Sequence, residues 1–390
     1  MEDRVTRDSK IRVLVVDDST FIRQAIARML SKSPDVEIVG QARNGEEAIS
    51  MVKELLPDVM TLDIEMPRMN GLDVLEIVMR EYPLPIIMVS SLTEDSAKET
   101  LLALELGAVD FISKQLNGSL LEISKIEKIL LEKIRAASCS RGKVSGLSRE
   151  KRDLQNRRGS VAGSHVEGRP RKANAEISHA PQDSANSLVI IGASTGGPKV
   201  IQEMLMEFPS FLPCGVIVVQ HMPKFFTKPF AERLNEQCPL SVCEAKDGDL
   251  VQAGKVFVAP GGRHLSMERV GTRPQVSLRI SSEPANLPYR PSVNLAMDSA
   301  VKNFGSSLIG VVLTGMGNDG AMGMQAIKAT GGCTLVQNEE TCIVYGMPKA
   351  VIDAGNADAV VPISRMTSEI MKRIFRISER NSVRPMEVYG

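Results

Sequence analysis

The sequence predicts two α/β domains in tandem, a doubly wound five-stranded parallel sheet followed by a mainly parallel, three-layer α/β domain. Three observations carry this. Short β-branched runs alternate with helix-period segments from Lys10 to about Ala137, the alternation stops over residues 138–186, and it resumes from Ser187 to about residue 380. The 390 residues, 43% of them hydrophobic, also exceed what one core ordinarily organises.

In the first domain (residues 10–137), IRVLVV (11–16) precedes the amphipathic TFIRQAIARML, and VEIV (36–39) precedes EEAISMVKEL. DVMTLDI (58–64) leads to GLDVLEIVMREY, PIIMVSS (85–91) to DSAKETLLALELG, and VDFIS (109–113) to ISKIEKILLEKIR. Five β-α units in this order imply parallel neighbours joined by right-handed crossovers. Residues 138–186 hold few apolar residues and many Arg, Lys, Ser and Gly, so they cannot bury enough surface to fold alone. They read as a flexible basic linker, with a basic docking arm for an acidic partner as the alternative. In the second domain (residues 187–380), the strands are LVIIGAS, GVIVVQH, KVFVAP, SLIGVVLTG, CTLVQN and ADAVVPIS, mostly separated by helical patterns. KVFVAPGGRHLSMERV reads as a hairpin closed by a Gly-Gly turn.

Composition narrows the class. No apolar run approaches the roughly 18 residues of a membrane span, and MEDRVTRDSK lacks the apolar core of a signal peptide. A soluble, cytoplasmic monomer with no membrane insertion is therefore expected. Lys plus Arg and Asp plus Glu both number 47, which gives no hint of a nucleic-acid partner. The six cysteines lack C-x-x-C spacing and read as small reduced hydrophobes.

Chemistry in open α/β sheets gathers beyond the carboxyl ends of the strands. In the first domain those ends carry Asp17 and Asp18, Asp63, Ser90 and Ser91, and Lys114. Three carboxylates at one spot repel unless a cation joins them, and a hard divalent ion, Mg2+ above all, suits oxygen ligands. Asp63 could then attack a phosphoryl donor, with Lys114 and Ser90 meeting the transferred group. Singly, each has a plainer reading: Asp18 or Ser19 could cap a helix, and Lys114 could be a solvated lysine. VVDDS, TLDIEMPRMNG, MVSSLT and DFISK resemble the signature segments of the response-regulator receiver family, whose fold is flavodoxin-like. The resemblance implies Asp63 as phosphoacceptor, Asp17, Asp18 and Asp63 as the Mg2+ site, Ser90 and Lys114 as phosphate-sensing residues, and Phe111 as the aromatic switch. Gln115 stands where that family usually has Pro.

In the second domain, LVIIGASTGGP sets G-x-S-x-G (Gly192, Ser194, Gly196) between a strand and a helix, where small residues allow a turn that exposes a serine oxygen. Ser194 needs a base. Of four histidines, His165 and His179 lie in the linker, His221 ends a strand, and His264 lies on the expected hairpin; His221 is favoured. LIGVVLTGMGNDG places Asp319 beyond another strand to orient that base, and the backbone N–H groups of Thr195 and Met316 are oxyanion candidates. Alternatively, the Gly-rich turn cradles a dinucleotide phosphate and Ser194 merely caps a helix. A DNA-binding output is also conceivable, although no helix-turn-helix is evident.

GASTGGP, QHMP, APGG, YRPSV and TGMGNDG, on a receiver-plus-linker chain, resemble the chemotaxis protein-glutamate methylesterases. That resemblance implies Ser194, His221 and Asp319 as a catalytic triad with no cofactor at the hydrolase site. It also implies methylated chemoreceptors as substrate, glutamine deamidation at the same receptor positions, and a histidine kinase as phosphodonor. Arg290, in PYRPSV, and His264 remain candidates for substrate contact.

Overall fold

The computed structural model describes residues 10–91, 93–114, 120–140, 142, 185–271 and 275–383. Most of the expected linker, together with Gln115, lies outside the described residues.

The first sheet takes strands β1 (Ile11–Val16), β2 (Val36–Ala42), β3 (Val59–Asp63), β4 (Ile86–Ser90) and β5 (Asp110–Ser113). All pair in parallel, in the order β2-β1-β3-β4-β5. Successive residues of β1 serve opposite faces, because strand side chains alternate. Val13 and Val15 pack under α1 (Thr20–Leu30) and α5 (Leu120–Cys139), whereas Leu14 and Val16 meet α2 (Gly45–Leu55), α3 (Gly71–Glu81) and α4 (Glu94–Leu106). Each of the first four helices starts at a residue whose side chain accepts a first-turn N–H: Ser19, Asn44, Asn70 and Thr93. Such caps contribute on the order of 1 kcal/mol each. α5 runs to Cys139, past residue 137, where the expected linker begins.

The second sheet is wholly parallel and has seven strands. In chain order these are β6 (Leu188–Ala193), β7 (Gly215–Gln220), β8 (Ser241–Glu244), β9 (Lys255–Val258), β12 (Leu308–Val312), β13 (Cys333–Gln337) and β14 (Ala359–Val361). The spatial order is β14-β13-β12-β6-β7-β9-β8. On one face lie α6 (Gly197–Met206), α7 (Lys224–Gln237) and α11 (Ile363–Val383). On the other lie α8 (Val293–Phe304), α9 (Ala321–Ala329) and α10 (Met347–Asp353), with the antiparallel pair β10 (His264–Arg269) and β11 (Val276–Ser281). From β6 the chain steps out one way to β7 and later returns to build the other half from β12. The carboxyl ends of β6 and β12 therefore flank the topological switch point, where α/β sheets place their sites.

The expected hairpin over KVFVAPGGRHLSMERV does not form. β9 pairs in parallel with β7 and β8, and β10 instead pairs with β11. The Gly-Gly pair is a crossing between layers: Gly261 donates to Thr227 Oγ1, and a Cβ on Gly261 would lie 2.5 Å from the backbone of Met222 and Pro223. No described helix is long and apolar enough to cross a membrane. All six cysteines are free, and burial pushes the Cys214 thiol up to about 12, which makes it inert.

Candidate active site

Every residue of β6 is buried, so the chain leaves the sheet core at Ala193 and must turn at once. Gly196 takes φ +77°, a conformation that suits glycine, and Gly197 N–H closes the turn on Ser194 O at 2.8 Å. Gly197 also has no space for a side chain, since a Cβ would lie 2.0 Å from Gln220 Oε1. Gly192 is equally confined, with Val293 Cγ1 2.4 Å from where its Cβ would stand. The glycines thus let neighbouring elements close on the Ser194 turn.

Two links tie that turn to the adjacent strands. Ser194 N–H donates to Thr314 O, beyond β12, at 3.1 Å. Buried Gln220, ending β7, donates through Nε2 to the carbonyls of both Ser194 and His221 at 3.0 Å. Gly315 lies against the serine itself, its notional Cβ 2.9 Å from Ser194 Cβ. Three strand ends, carrying Ser194, His221 and the turn that leads to Asp319, are thereby held together.

His221 Nε2 lies 2.9 Å from Asp319 Oδ2. Asp319 is buried and accepts the Val293 N–H at 2.7 Å, the Asn294 N–H at 2.9 Å and the Ser292 hydroxyl at 3.3 Å. These donors form the N-terminus of α8, whose unpaired amides and dipole favour a negative charge. Burial works against ionisation, yet His221 and the amides prevail and hold Asp319 below the usual carboxylate range. The other ring nitrogen, Nδ1 of His221, is buried without a hydrogen bond. The Thr195 and Met316 N–H groups make no hydrogen bond among the described residues and adjoin Ser194 in its own turn and in the facing one. A serine on a turn tied to that of a carboxylate-oriented histidine, with free backbone donors adjoining, has the elements of acyl transfer.

Among the described residues His264 makes no hydrogen bond to Ser194, His221 or Asp319, although it lies near enough to Asp319 to feel its charge. It is buried on β10 with Nε2 3.2 Å from Pro284 O, and its burial disfavours the charged form. Arg290 donates to Ala285 O and so closes its own loop. Two residues of the site escaped the sequence reading. Gln220 was hidden in QHMP as the last residue of an apolar strand. Tyr289 sits in YRPSV, its ring stacked on His221 with centroids 4.4 Å and planes 6° apart.

In the first domain, carboxylate oxygens of Asp17, Asp18 and Asp63 all lie within 4.8 Å of one another. Asp17 Oδ2 and Asp63 Oδ2 are buried, and among the described residues their partner is the Lys114 ammonium, whose Nζ lies 3.3 and 2.6 Å away. Burial, reinforced by Asp17, pushes the Asp63 carboxyl up to about 7 against the pull of Lys114, and burial also raises Asp17. One ammonium cannot balance three carboxylates. This all-oxygen set fits a hard divalent cation. The hydroxyl of Ser90 engages α4, receiving a hydrogen bond from Thr100 Oγ1 at 2.8 Å.

Phe111 leaves its own domain and stacks on Phe226 of α7, with centroids 4.4 Å apart. The preceding residue, Asp110, is paired with Lys133 and accepts a 2.5 Å hydrogen bond from Thr195 Oγ1, immediately after Ser194. Glu105 of α4 forms a bidentate ion pair with Arg233 of α7. The strand end bearing the expected switch aromatic therefore abuts the Ser194 turn.

The chain is similar to known proteins over both domains. Residues 189–370 match the family model described as CheB methylesterase, and residues 13–124 match the response regulator receiver domain. The chain is 45% identical over 373 residues to "Protein-glutamate methylesterase/protein-glutamine glutaminase 1" of Oleidesulfovibrio alaskensis, covering 94% of this chain and 100% of that one. It is 41% identical over 365 residues to the protein-glutamate methylesterase/protein-glutamine glutaminase of Pyrococcus abyssi, covering 94% of each. Among solved structures, the Thermotoga maritima CheB methylesterase catalytic domain is 38% identical, with a TM-score of 0.46, covering 48% of this chain and 97% of that one.

Proposed function

The chain belongs to the CheB methylesterase family, fused to a response-regulator receiver, and from that premise we propose that Ser194, His221 and Asp319 are its catalytic residues. It is a hydrolase of the protein-glutamate methylesterase and protein-glutamine glutaminase class, regulated by phosphorylation and acting in chemotaxis. Its substrates are the glutamyl methyl esters and glutamines of chemoreceptor cytoplasmic helices. The observation that carries the reading is the 2.9 Å contact of His221 with Asp319 at strand ends tied to the Ser194 turn.

Ser194 Oγ attacks the ester carbonyl while His221 Nδ1, the ring nitrogen not engaged by Asp319, takes the proton. Asp319, kept ionised by the α8 amides, stabilises the imidazolium. The oxyanion of the tetrahedral intermediate falls to the N–H groups of Thr195 and Met316. The imidazolium returns its proton to the leaving oxygen and methanol departs; from glutamine the same step releases ammonia. Water, deprotonated by His221, then frees the glutamate and restores Ser194.

In the receiver, Asp63 accepts a phosphoryl group from a histidine kinase. Asp17, Asp18 and Asp63 would hold Mg2+, which when bound supplies positive charge to the transferring group. Lys114 neutralises a phosphoryl oxygen, and Ser90 exchanges its α4 partners for another. In the unphosphorylated chain Phe111 and Asp110 fasten the receiver beside Ser194, where it obstructs a bulky helical substrate. Phosphorylation withdraws Phe111 and opens that contact.

The test is methanol release from methylated receptor membranes by wild type and Ser194→Ala, with and without a small phosphodonor. Loss of Ser194 should lower the rate on the order of 10⁴-fold. Equal release by both proteins would end the hydrolase reading.

A further inference from the structure

We propose that Tyr289 is a positioning residue for His221, fixing the plane of the imidazole; this rests on the hydrolase reading above. The ring centroids are 4.4 Å apart and the planes within 6° of parallel, a stacked contact. A hydrogen bond through Nε2 alone holds one ring nitrogen yet leaves the ring some freedom to turn about its Cβ–Cγ bond. Such a turn would carry Nδ1 away from the serine that must hand it a proton. A flat aromatic face against the imidazole removes that freedom. It also lies over the ring when the ring becomes a cation, and a cation over an aromatic face is stabilised most where water is excluded.

The segment holding Tyr289 is itself anchored. Arg290 O accepts the Gly262 N–H at 3.1 Å, and two residues on, Ser292 caps α8 and donates to Asp319. One short stretch thus supplies both the cover over His221 and the donors that hold Asp319. The Tyr289 hydroxyl meets Gly317 of the Asp319 turn: a Cβ there would lie 2.8 Å from Oη. Partial burial, with Glu132 and Asp319 nearby, raises the phenol above its ordinary range, so the face presented to His221 is that of a neutral ring.

Because the role belongs to the ring, other aromatics should serve and a non-aromatic of similar bulk should not. The full-length chain, activated with a small phosphodonor, would be compared with Tyr289→Phe, Tyr289→Leu and Tyr289→Met by methanol release from methylated receptor membranes. Folding would be followed by circular dichroism, and the His221 ring protons by NMR. The Phe variant should stay within about threefold of wild type. The Leu and Met variants should lose roughly 5- to 30-fold in kcat, with KM changed much less, as expected for about 1–2 kcal/mol of stacking. Their His221 ring-proton signals should also move downfield as the ring current is lost. Equal kcat in the Phe, Leu and Met variants, or a loss confined to KM, would overturn the assignment. Wild type without turnover would sink the hydrolase reading and this proposal together, and would be seen before any variant is compared.

Discussion

Asp63 is a carboxyl in surroundings that resist its own charge. Burial, with Asp17 adding to it, carries its pKa from the usual 3.8 to about 7, and Lys114 offsets only part of the rise. Between these two values the metal-free folded protein holds a proton that the unfolded chain has released. With more protons bound to the native state, stability falls as pH rises through that window, by up to about 1.4 kcal/mol per pH unit. The melting temperature of metal-free protein should accordingly drop between about pH 5 and pH 7.5. Asp63→Asn should flatten the dependence, and Mg2+ should restore stability at the higher pH. Parallel melting curves for wild type and Asp63→Asn would show that the carboxyl is not strained. Asp319 presents the opposite case, since helix-terminal amides and His221 more than offset its burial. Two buried carboxylates thus suit two tasks, one awaiting a cation and the other already matched by fixed donors.

At the scale of elements, much of the arrangement was legible because strand ends collect chemistry. Asp17, Asp63 and Lys114 in one sheet, and Ser194, His221 and Asp319 in the other, follow from apolar runs that stop at a polar residue. β8 was missed because SVCE is a four-residue edge strand with little apolar content. The hairpin was misread because a Gly-Gly pair announces a tight turn whether the flanking strands pair or pass to different layers. Gln220 and Tyr289 were silent because their partners come from distant segments, a relation that no local pattern encodes. The docking of α4 on α7 was likewise out of reach, although its key pair can be tested. Glu105 and Arg233 are partly buried, and such a bidentate pair contributes on the order of 1 kcal/mol. Glu105→Arg should therefore raise the activity of the unphosphorylated enzyme by about fivefold, and adding Arg233→Glu should bring it back down. A double variant as active as the single one would show that the pair does not hold the domains.

Across the whole molecule, the receiver and the hydrolase share one continuous apolar cluster, from Leu14, Val74 and Leu101 through Phe111 to Phe226 and Phe230. Regulation through such a contact requires it to be stable enough to block substrate and weak enough for one phosphoryl group to release. The polar links beside it, buried Asp110 with Thr195 and partly buried Glu105 with Arg233, suit that balance, since a hydrogen bond is lost on a small displacement that leaves most apolar area covered. The receiver can only obstruct while it occupies that face, so deleting residues 1–137 should raise basal esterase activity and abolish its response to a phosphodonor. Both are read by methanol release from the same receptor membranes. A folded fragment with unchanged or lower activity would mean that the receiver assists catalysis more than it obstructs it. In that event the Asp110 hydrogen bond to Thr195 would be better understood as support for the oxyanion turn than as a latch upon it.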